Sequence, residues 1–185
     1  MMSSFAPWRG TLARQEDALT PVLRSWLSEA GSLSARLQAA CRHFRVQPLR
    51  QRLAPLGIDE AARLGLAPGA LAMVREVLLL ADEVPVIFAH SVLPLFPRHP
   101  FDCRFLALGQ RSLGSSLLFA DPRIARGRLE FRRLDRRHPL YQGTLAALGP
   151  QPPALWARRS RFGQAAKGLL VTEVFLPAIL GLEQG

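Results

Sequence analysis

Cysteine is scarce in this sequence, and the patterns that hold metals or nucleotides are missing. The two cysteines, Cys41 and Cys103, are far apart and form neither a CxxC pair nor a zinc-binding pattern. The chain also has no P-loop and no dinucleotide-binding fingerprint. Two thiols without a secretory signal are typical of reduced residues in the cytoplasm. The sequence therefore gives no sign of disulfides, of a metal site or of nucleotide binding.

Long hydrophobic runs are absent as well. The first ten residues do not combine a basic stretch with a long apolar one, which argues against a secretory signal. The most apolar runs, such as residues 77–81, are far too short to cross a bilayer. We therefore expect a cytoplasmic protein with no stable membrane insertion.

Acidic residues are fewer than basic ones: 14 Asp plus Glu stand against 24 Lys plus Arg, and the net charge is +10. A basic surface attracts anions, from small metabolites to nucleic acid. Residues 126–138 are densest in arginine, but they contain no aromatic residue beyond Phe131 and no nucleic-acid recognition motif. A solvated edge strand and loop explains this stretch better, so we expect no nucleic-acid partner.

The length of 185 residues and the apolar fraction of 49% indicate one domain with one core. Residues 1–17 are expected to form a flexible lead-in, and residues 18–185 the single domain. Thr20 followed by Pro21 predicts the start of one helix, and Ser32 can cap a second.

The order of the remaining elements favours an α+β fold. Apolar runs and period-two alternation predict strands over residues 45–53, 70–81, 86–93, 128–134, 154–162 and 167–176. The first of these is weak because Pro48 interrupts it. Since hairpins outnumber crossovers, we expect an antiparallel sheet with helices packed on it.

The connecting segments are less regular. Residues 82–85 predict a hairpin with a slightly long loop. Residues 102–109 predict a short helix, and residues 140–153 a loop or short helix. The segment after the third predicted strand should lack regular structure because it holds three prolines, Pro94, Pro97 and Pro100.

Two charged residues, Arg75 and Glu173, lie on apolar strand faces. Side chains of a strand alternate between its faces, so each charge points where its apolar neighbours point: Met73, Val77 and Leu79 beside Arg75, and Leu169, Val171 and Phe175 beside Glu173. An ionised group on such a face is costly unless it is paired or used. The pattern suggests a closed pocket for a small polar ligand. The structural alternatives are that Arg75 pairs with an acid across the sheet, or that Glu173 pairs with Arg75, Arg159 or Arg161.

Several segments carry a family resemblance. They are residues 73–82 (MVREVLLLAD), 112–119 (SLGSSLLF), 155–161 (LWARRSR) and 169–177 (LLVTEVFLP), with a weaker one at residues 26–34. In their order and rough spacing, these segments resemble the chorismate pyruvate-lyases, which open bacterial ubiquinone synthesis. The resemblance implies a single α+β domain with an antiparallel sheet, packed helices and a buried ligand cavity.

The same resemblance implies an enzyme that converts chorismate to 4-hydroxybenzoate and pyruvate. Chorismate is a dicarboxylate that loses its enolpyruvyl ether at C3 and a hydrogen at C4 as the ring becomes aromatic. Because aromatisation supplies the driving force, the enzyme mainly positions the substrate and stabilises developing charge. No metal or organic cofactor is implied.

The resemblance also assigns roles to individual residues. Arg75 is expected to bind a substrate carboxylate, because its planar fork matches that group. Glu173 is expected to contact the C4 hydroxyl or to act as an acid or base, so both residues count as catalytic candidates. Leu113, with Gly114, matches a loop whose backbone amide contacts the ligand. Leu33 falls where relatives often carry a methionine that helps to close a flap over the ligand.

One position departs from the family pattern. His90 stands where relatives often have an arginine, and a lone histidine on an apolar face is usually a satisfied core residue. We therefore do not expect it to be catalytic. Its presence leaves open how the second carboxylate of the substrate is held.

A non-catalytic sensor of small aromatic acids is the main alternative, because effector domains of some bacterial transcription regulators are similar in fold to these lyases. Such regulators carry a winged helix-turn-helix ahead of the effector domain, and we expect the roughly 20 residues before Thr20 to be too few for one. The favoured interpretation is a monomeric enzyme whose partners are chorismate and 4-hydroxybenzoate.

Overall fold

An antiparallel sheet of six strands lies at the centre of the computed structural model, which describes residues 7–12, 19–94, 100–163 and 168–182. The strands are β1 Phe44–Pro55, β2 Leu71–Ala81, β3 Val84–Pro94, β4 Glu130–Asp135, β5 Ala154–Phe162 and β6 Leu169–Phe175. Across the sheet their order is β1-β2-β3-β6-β5-β4, and each neighbouring pair is antiparallel. The predicted antiparallel sheet is confirmed.

Helices cover both faces of the sheet, which makes the fold α+β as predicted. They are α1 Pro21–Leu27, α2 Leu33–Ala40, α3 Ile58–Leu64, α4 Pro100–Leu106 and α5 Pro139–Leu148. The short segment Gly114–Leu118 is a single π-helical turn, and Pro177–Gly181 is a 3₁₀ turn. No helix in the described ranges is long and apolar enough to span a membrane.

The first two helices begin where the sequence predicts. The hydroxyl of Thr20 accepts a hydrogen bond from the amide of Leu23 at 3.2 Å, and Pro21 occupies the first turn of α1. Ser32 accepts in the same way from the amide of Ala35 at 3.3 Å. Each cap satisfies an amide that has no partner inside the helix.

Strand β1 forms despite Pro48. It is the last strand on one side of the sheet, where a missing backbone donor costs least. Its register against β2 shifts between Pro48 and Arg50, so the proline lies beside a bulge. The weak strand prediction is thus confirmed, and the strand is longer than predicted.

The connection between β2 and β3 is shorter than predicted. Only Asp82 and Glu83 lie between the strands, and both have positive φ values, 47° and 66°. This is the geometry of a two-residue hairpin turn, which glycine and asparagine adopt more easily. The predicted longer loop is wrong because Val84 and Pro85 already pair with β2. Beyond Pro85 the register shifts by one residue, which leaves Val86 as a bulge in β3.

One helix was missed, and one further prediction needs correction. Helix α3 was not predicted; it is only seven residues long, and Gly57 at its start provides no side-chain cap. Pro100 was expected to exclude regular structure, but it is the first residue of α4, where a missing amide donor is harmless. Pro94 ends β3, and Pro97 lies outside the described residues. The helix predicted near residues 102–109 is confirmed as α4, and residues 140–153, predicted as a loop or short helix, begin with α5.

The two faces of the sheet carry separate apolar cores. On the front face, α1 and α2 pack on odd-numbered residues of β2 such as Val77 and Leu79, and α4 packs further along the strands. On the back face, α3 and α5 pack on even-numbered residues such as Val74, Leu78 and Leu80. This alternation places consecutive residues of a strand in different surroundings.

Part of the predicted lead-in contacts the sheet. Arg9 exchanges two backbone hydrogen bonds with Phe131 of β4, at 2.9 and 2.7 Å. Residues 1–6 and 13–17 of the predicted lead-in lie outside the described residues.

Candidate active site

A pocket opens on the front face between its two apolar clusters. Strands β2, β6 and β5 contribute Arg75, Glu173 and Arg158 to its floor. The roof consists of residues from the start of α2 and from the π-helical turn, and Leu33 and Leu113 lie there. The structure therefore gathers all four residues that the sequence singled out, Arg75, Glu173, Leu33 and Leu113, around one cavity. Their roles toward a ligand stay predictions.

Arg75 is a buried cation with no carboxylate partner among the described residues. Its side chain is 2% exposed, and its Nη2 donates to the backbone oxygens of Gly109 at 2.9 Å and Arg111 at 3.2 Å. Burial lowers the pKa of the guanidinium from its ordinary value. Its cross-strand neighbours, Gln51 and Ser91, are not acidic. The alternative that Arg75 pairs with an acid across the sheet is therefore wrong for the described part of the chain.

Glu173 is held by an arginine that the sequence analysis did not name. Arg158 lies directly opposite it on β5, and its Nε donates to Oε2 of Glu173 at 2.5 Å. The Arg158 side chain is 1% exposed, and its Nη1 also donates to the backbone oxygens of Leu27 and Glu29. Arg159, one of the expected partners, points to the back face and binds Glu130 instead. The ion-pair alternative was right in kind but wrong in the partner.

Arg126 also lines the pocket, although the sequence placed it on a solvated edge. Its Nε donates to the hydroxyl of Ser160 at 3.0 Å, and its Nη1 to the carbonyl of Ala30 at 2.7 Å. The guanidinium lies 5.7 Å from the ring centre of Phe119 and 5.5 Å from that of Phe162. Burial, followed by the nearby charge of Arg158, lowers its pKa. The solvated interpretation is wrong for Arg126.

The roof is closed by small polar residues. The hydroxyl groups of Ser34 in α2 and Ser112 before the π-helical turn are hydrogen-bonded at 2.6 Å. Gly114 lies against the same hydroxyl groups: a Cβ there would be 3.2 Å from the hydroxyl oxygen of Ser32 and 3.5 Å from that of Ser34, so a side chain at this position would crowd α2. Leu33 and Leu113 are 3% and 7% exposed, so both contribute apolar cover.

His90 lies away from the pocket, on the back face. Its Nδ1 is 2.9 Å from a carboxylate oxygen of Glu76, and its Nε2 is 2.9 Å from Glu60 without the alignment of a good hydrogen bond. Burial alone would lower the pKa of His90, but bonding and charge from Glu60 and Glu76 raise it to about 9. It is thus a buried histidine that pairs with two carboxylates away from the pocket. Because the ring does not face the pocket, the position of His90 leaves open how a second substrate carboxylate is held.

The charges around the pocket suit a doubly negative ligand. Three arginines and one glutamate line it, which leaves a formal net charge of +2. Arg75 and Arg126 make no ion pair with a described carboxylate, and both lie near apolar groups where charge interactions are strong. Among the described residues, no group of three or more His, Cys, Asp or Glu is placed to hold a metal ion.

Comparisons with known proteins show which family the chain belongs to. The profile of the chorismate lyase family matches residues 4–183. A protein of Aromatoleum aromaticum named "Probable chorismate pyruvate-lyase" is 53% identical over 162 residues, which cover 86% of this chain and 87% of that one.

Solved structures show the same fold at low identity. The crystal structure of the PhnF C-terminal domain has a TM-score of 0.58 at 13% identity and covers 73% of this chain and 84% of that one. A GntR-family transcriptional regulator from Bacillus cereus has a TM-score of 0.52 at 13% identity, over 77% and 97% of the two chains. These likenesses concern the fold alone, whereas the family profile and the relative from Aromatoleum aromaticum extend over most of the sequence. The chain belongs to the chorismate lyase family.

Proposed function

We propose that the protein eliminates pyruvate from chorismate to give 4-hydroxybenzoate, the first step of ubiquinone biosynthesis, as a monomer in the cytoplasm. The observation that carries the proposal is the pocket with a formal charge of +2, in which Arg75 is a buried cation without a described acidic partner. Chorismate is a dianion of the matching charge. A family member more than half identical bears the name of this activity.

Arg75 takes the carboxylate on C1 of the ring. Its Nη2 is fixed by the carbonyls of Gly109 and Arg111, so the remaining guanidinium donors are oriented before the ligand arrives. A cation positioned in advance in a site shielded from water binds a carboxylate strongly. The same contact persists in the product, whose carboxylate occupies the same ring position.

Glu173 contacts the C4 hydroxyl at the other end of the ring. Arg158 engages its Oε2, which leaves Oε1 to accept a hydrogen bond from the substrate. This contact orients C4 while the C3–O bond breaks and the proton on C4 is lost. The bonding electrons leave with the enolpyruvyl oxygen, the ring becomes aromatic, and the enolpyruvyl fragment gains a proton to become pyruvate.

The roof excludes water from the reacting atoms. Leu33 and Leu113 cover the pocket, and the hydrogen bond between Ser34 and Ser112 joins the two segments that carry them. Dry surroundings strengthen the interactions of Arg75 and Glu173 with the substrate. We also propose that the backbone amide at Leu113 or Gly114 contacts the ligand.

The test is to incubate the purified protein with chorismate and to separate the products by chromatography. We expect 4-hydroxybenzoate and pyruvate in equal amounts, at a rate far above that of chorismate alone. No product above the uncatalysed rate would refute the proposal. Binding of chorismate without turnover would instead favour a sensor. This alternative is considered because a transcriptional regulator has the same fold.

A further inference from the structure

A partly buried arginine of the pocket, Arg126, has no role in the mechanism above. Arg126 lies in the segment before β4 and reaches the pocket wall from the β5 side. We propose that Arg126 binds the enolpyruvyl carboxylate of chorismate, the one negative group that the substrate has and the aromatic product lacks. This inference rests on the proposed function.

The first argument is the balance of charge. Arg158 is already paired with Glu173, and these two groups neutralise one another. Arg75 and Arg126 then remain as two cations without an ion pair to the described carboxylates. A substrate with two carboxylates requires two such groups if neither is to be buried without a partner.

The second argument is position. Arg75, Ser91, Val171 and Ser160 pair in one row across β2, β3, β6 and β5. Because three strand spacings of about 4.8 Å separate the ends of this row, Arg75 and Ser160 stand on opposite sides of the pocket. Arg126 is bonded to Ser160, so it reaches the cavity from the side opposite the strand that carries Arg75.

The third argument links Arg126 to the leaving group. Ser160 and Arg158 lie on the same face of β5, and Arg126 and Arg158 both donate to the carbonyl of Glu29. Arg126 therefore lies at the Glu173 end of the pocket. If Glu173 contacts the C4 hydroxyl, the enolpyruvyl group on the adjacent carbon, C3, emerges at this end. Its carboxylate then meets Arg126, while the C1 carboxylate remains with Arg75.

A purely structural role for Arg126 makes a different prediction. Its Nη1 also bonds the carbonyls of Ala30 and Gly31, so it ties the loop between α1 and α2 to the sheet. If that tie is its whole purpose, its loss should weaken every ligand of the pocket alike. If it binds the leaving group, its loss should weaken chorismate but spare 4-hydroxybenzoate.

The test compares three variants with the wild type. Arg126→Gln removes the charge and keeps a polar side chain. Ser160→Ala loosens Arg126 without removing its charge. Arg123→Gln is the control, since it removes a charge from the same segment outside the pocket. The Arg123 side chain is 86% exposed and bonds only Asp121 among the contacts described. For each protein, KM for chorismate, the Kd of chorismate and of 4-hydroxybenzoate, and the thermal melting temperature are measured.

We expect Arg126→Gln to raise the KM and Kd of chorismate by about tenfold to a hundredfold, the range of a hydrogen bond to a charged group. The Kd of 4-hydroxybenzoate should change by less than about twofold. Arg123→Gln should match the wild type. An unchanged KM and Kd of chorismate in Arg126→Gln would overturn the proposal. So would an equal loss of affinity for chorismate and 4-hydroxybenzoate. A Ser160→Ala protein that loses as much chorismate affinity as Arg126→Gln would overturn it as well.

Two safeguards keep the result decisive. If Arg126→Gln does not fold, Arg126→Lys retains one charge but loses the planar fork, and the same split between the two ligands is expected. An equal change for both ligands in that variant would refute the role. If the wild type binds chorismate without converting it, the proposed function fails, while the two Kd values still decide whether Arg126 contacts the leaving group.

Discussion

The two faces of the sheet treat buried charge in opposite ways. On the back face, Glu76 is bonded by Arg50 and His90, and Glu60 stands beside His90. Further along the same face, a second network joins Arg159 to Glu130 and Asp59, with Arg63 also bonded to Glu130. On the front face, Arg75 and Arg126 have no such acidic partners in the described ranges.

This difference separates charged residues that stabilise the fold through ion pairs from charged residues that are available to bind a ligand. Within a folded chain, a buried ion is stable when an opposite charge and hydrogen bonds compensate it. The back face achieves this with its own residues. Among the described residues that line the pocket, Glu173 and Arg158 compensate one another, and the remaining positive charge is available to a bound anion.

Arg75 and Glu76 are consecutive residues that face opposite sides of the sheet, so substituting each of them gives the strongest test of the difference between the two faces. Arg75→Met should lower kcat/KM for chorismate about a thousandfold, because losing one side of a buried charge pair costs about 4 kcal/mol. The melting temperature should change little, since the lost cation has no described acidic partner. Enzyme kinetics beside a thermal melt check both. A strongly destabilised protein with near-normal turnover in its folded fraction would make Arg75 structural.

Glu76→Gln should show the reverse pattern. This change leaves Arg50 and His90 without their shared carboxylate and should cost about 3 kcal/mol of the free energy of unfolding. Turnover per folded molecule should stay normal because Glu76 faces away from the pocket. Denaturant titration combined with active-site counting measures the two effects. Lost turnover at unchanged stability would contradict the division between the faces.

Glu173→Gln should combine both kinds of loss. Turnover should fall about a hundredfold, the scale of acid–base and orienting effects, while the affinity for 4-hydroxybenzoate falls less. Stability should also drop, because Arg158 loses its carboxylate while fully buried.

A second change separates these two losses. Adding Arg158→Met to Glu173→Gln should restore stability but not the rate, because an ion pair replaced by neutral groups leaves no uncompensated charge. Near-wild-type turnover in a well-folded Glu173→Gln protein would remove Glu173 from the reaction. It would point to direct transfer of the C4 proton to the enolpyruvyl methylene.

The smallest effect concerns pH. The pKa of His90 is raised from 6.5 to about 9 in the fold, so the stability that it provides is complete below pH 6.5 and is lost as the pH rises through 9. Linkage predicts a loss of about 2 kcal/mol between pH 7 and 9. His90→Arg should abolish this slope, because arginine stays charged. Unfolding by denaturant at several pH values gives the slope, and a flat wild-type profile would disprove the assignment.

Local signals in the sequence predict much of this fold. The caps at Thr20 and Ser32 and the apolar runs of β2, β3, β5 and β6 depend on neighbouring residues, so they can be read directly. Helix α3 could not be read in this way, because it is short and has no side-chain cap. Its stability comes from Ala61 and Leu64, which are buried in the back core.

The residues of the site also fall into two groups, those that a local sequence pattern predicts and those that only the folded structure reveals. Period-two alternation places Arg75 and Glu173 on pocket-facing sides of their strands, since only the strand itself matters for that inference. Arg158 could not be assigned to Glu173 without the register of β5 against β6. Arg126 is buried partly by a loop whose Ala30 lies 96 residues earlier, and no local pattern reveals such a contact.

The bulge at Val86 shifts the register of β3 against β2 by one residue, and so reverses which face of the sheet each later side chain of β3 occupies. With the same two-residue turn and no extra residue, Arg75 would stand beside His90, and Glu76 beside Ala89. The imidazole would then enter the pocket floor next to a guanidinium, and Glu76 would keep Arg50 but lose His90. One added residue, five positions before Ser91, therefore decides that Ser91 faces the pocket and that His90 faces the back of the sheet. An insertion or deletion near this hairpin would thus replace Ala89 and Ser91 by His90 at the pocket without any substitution in the site.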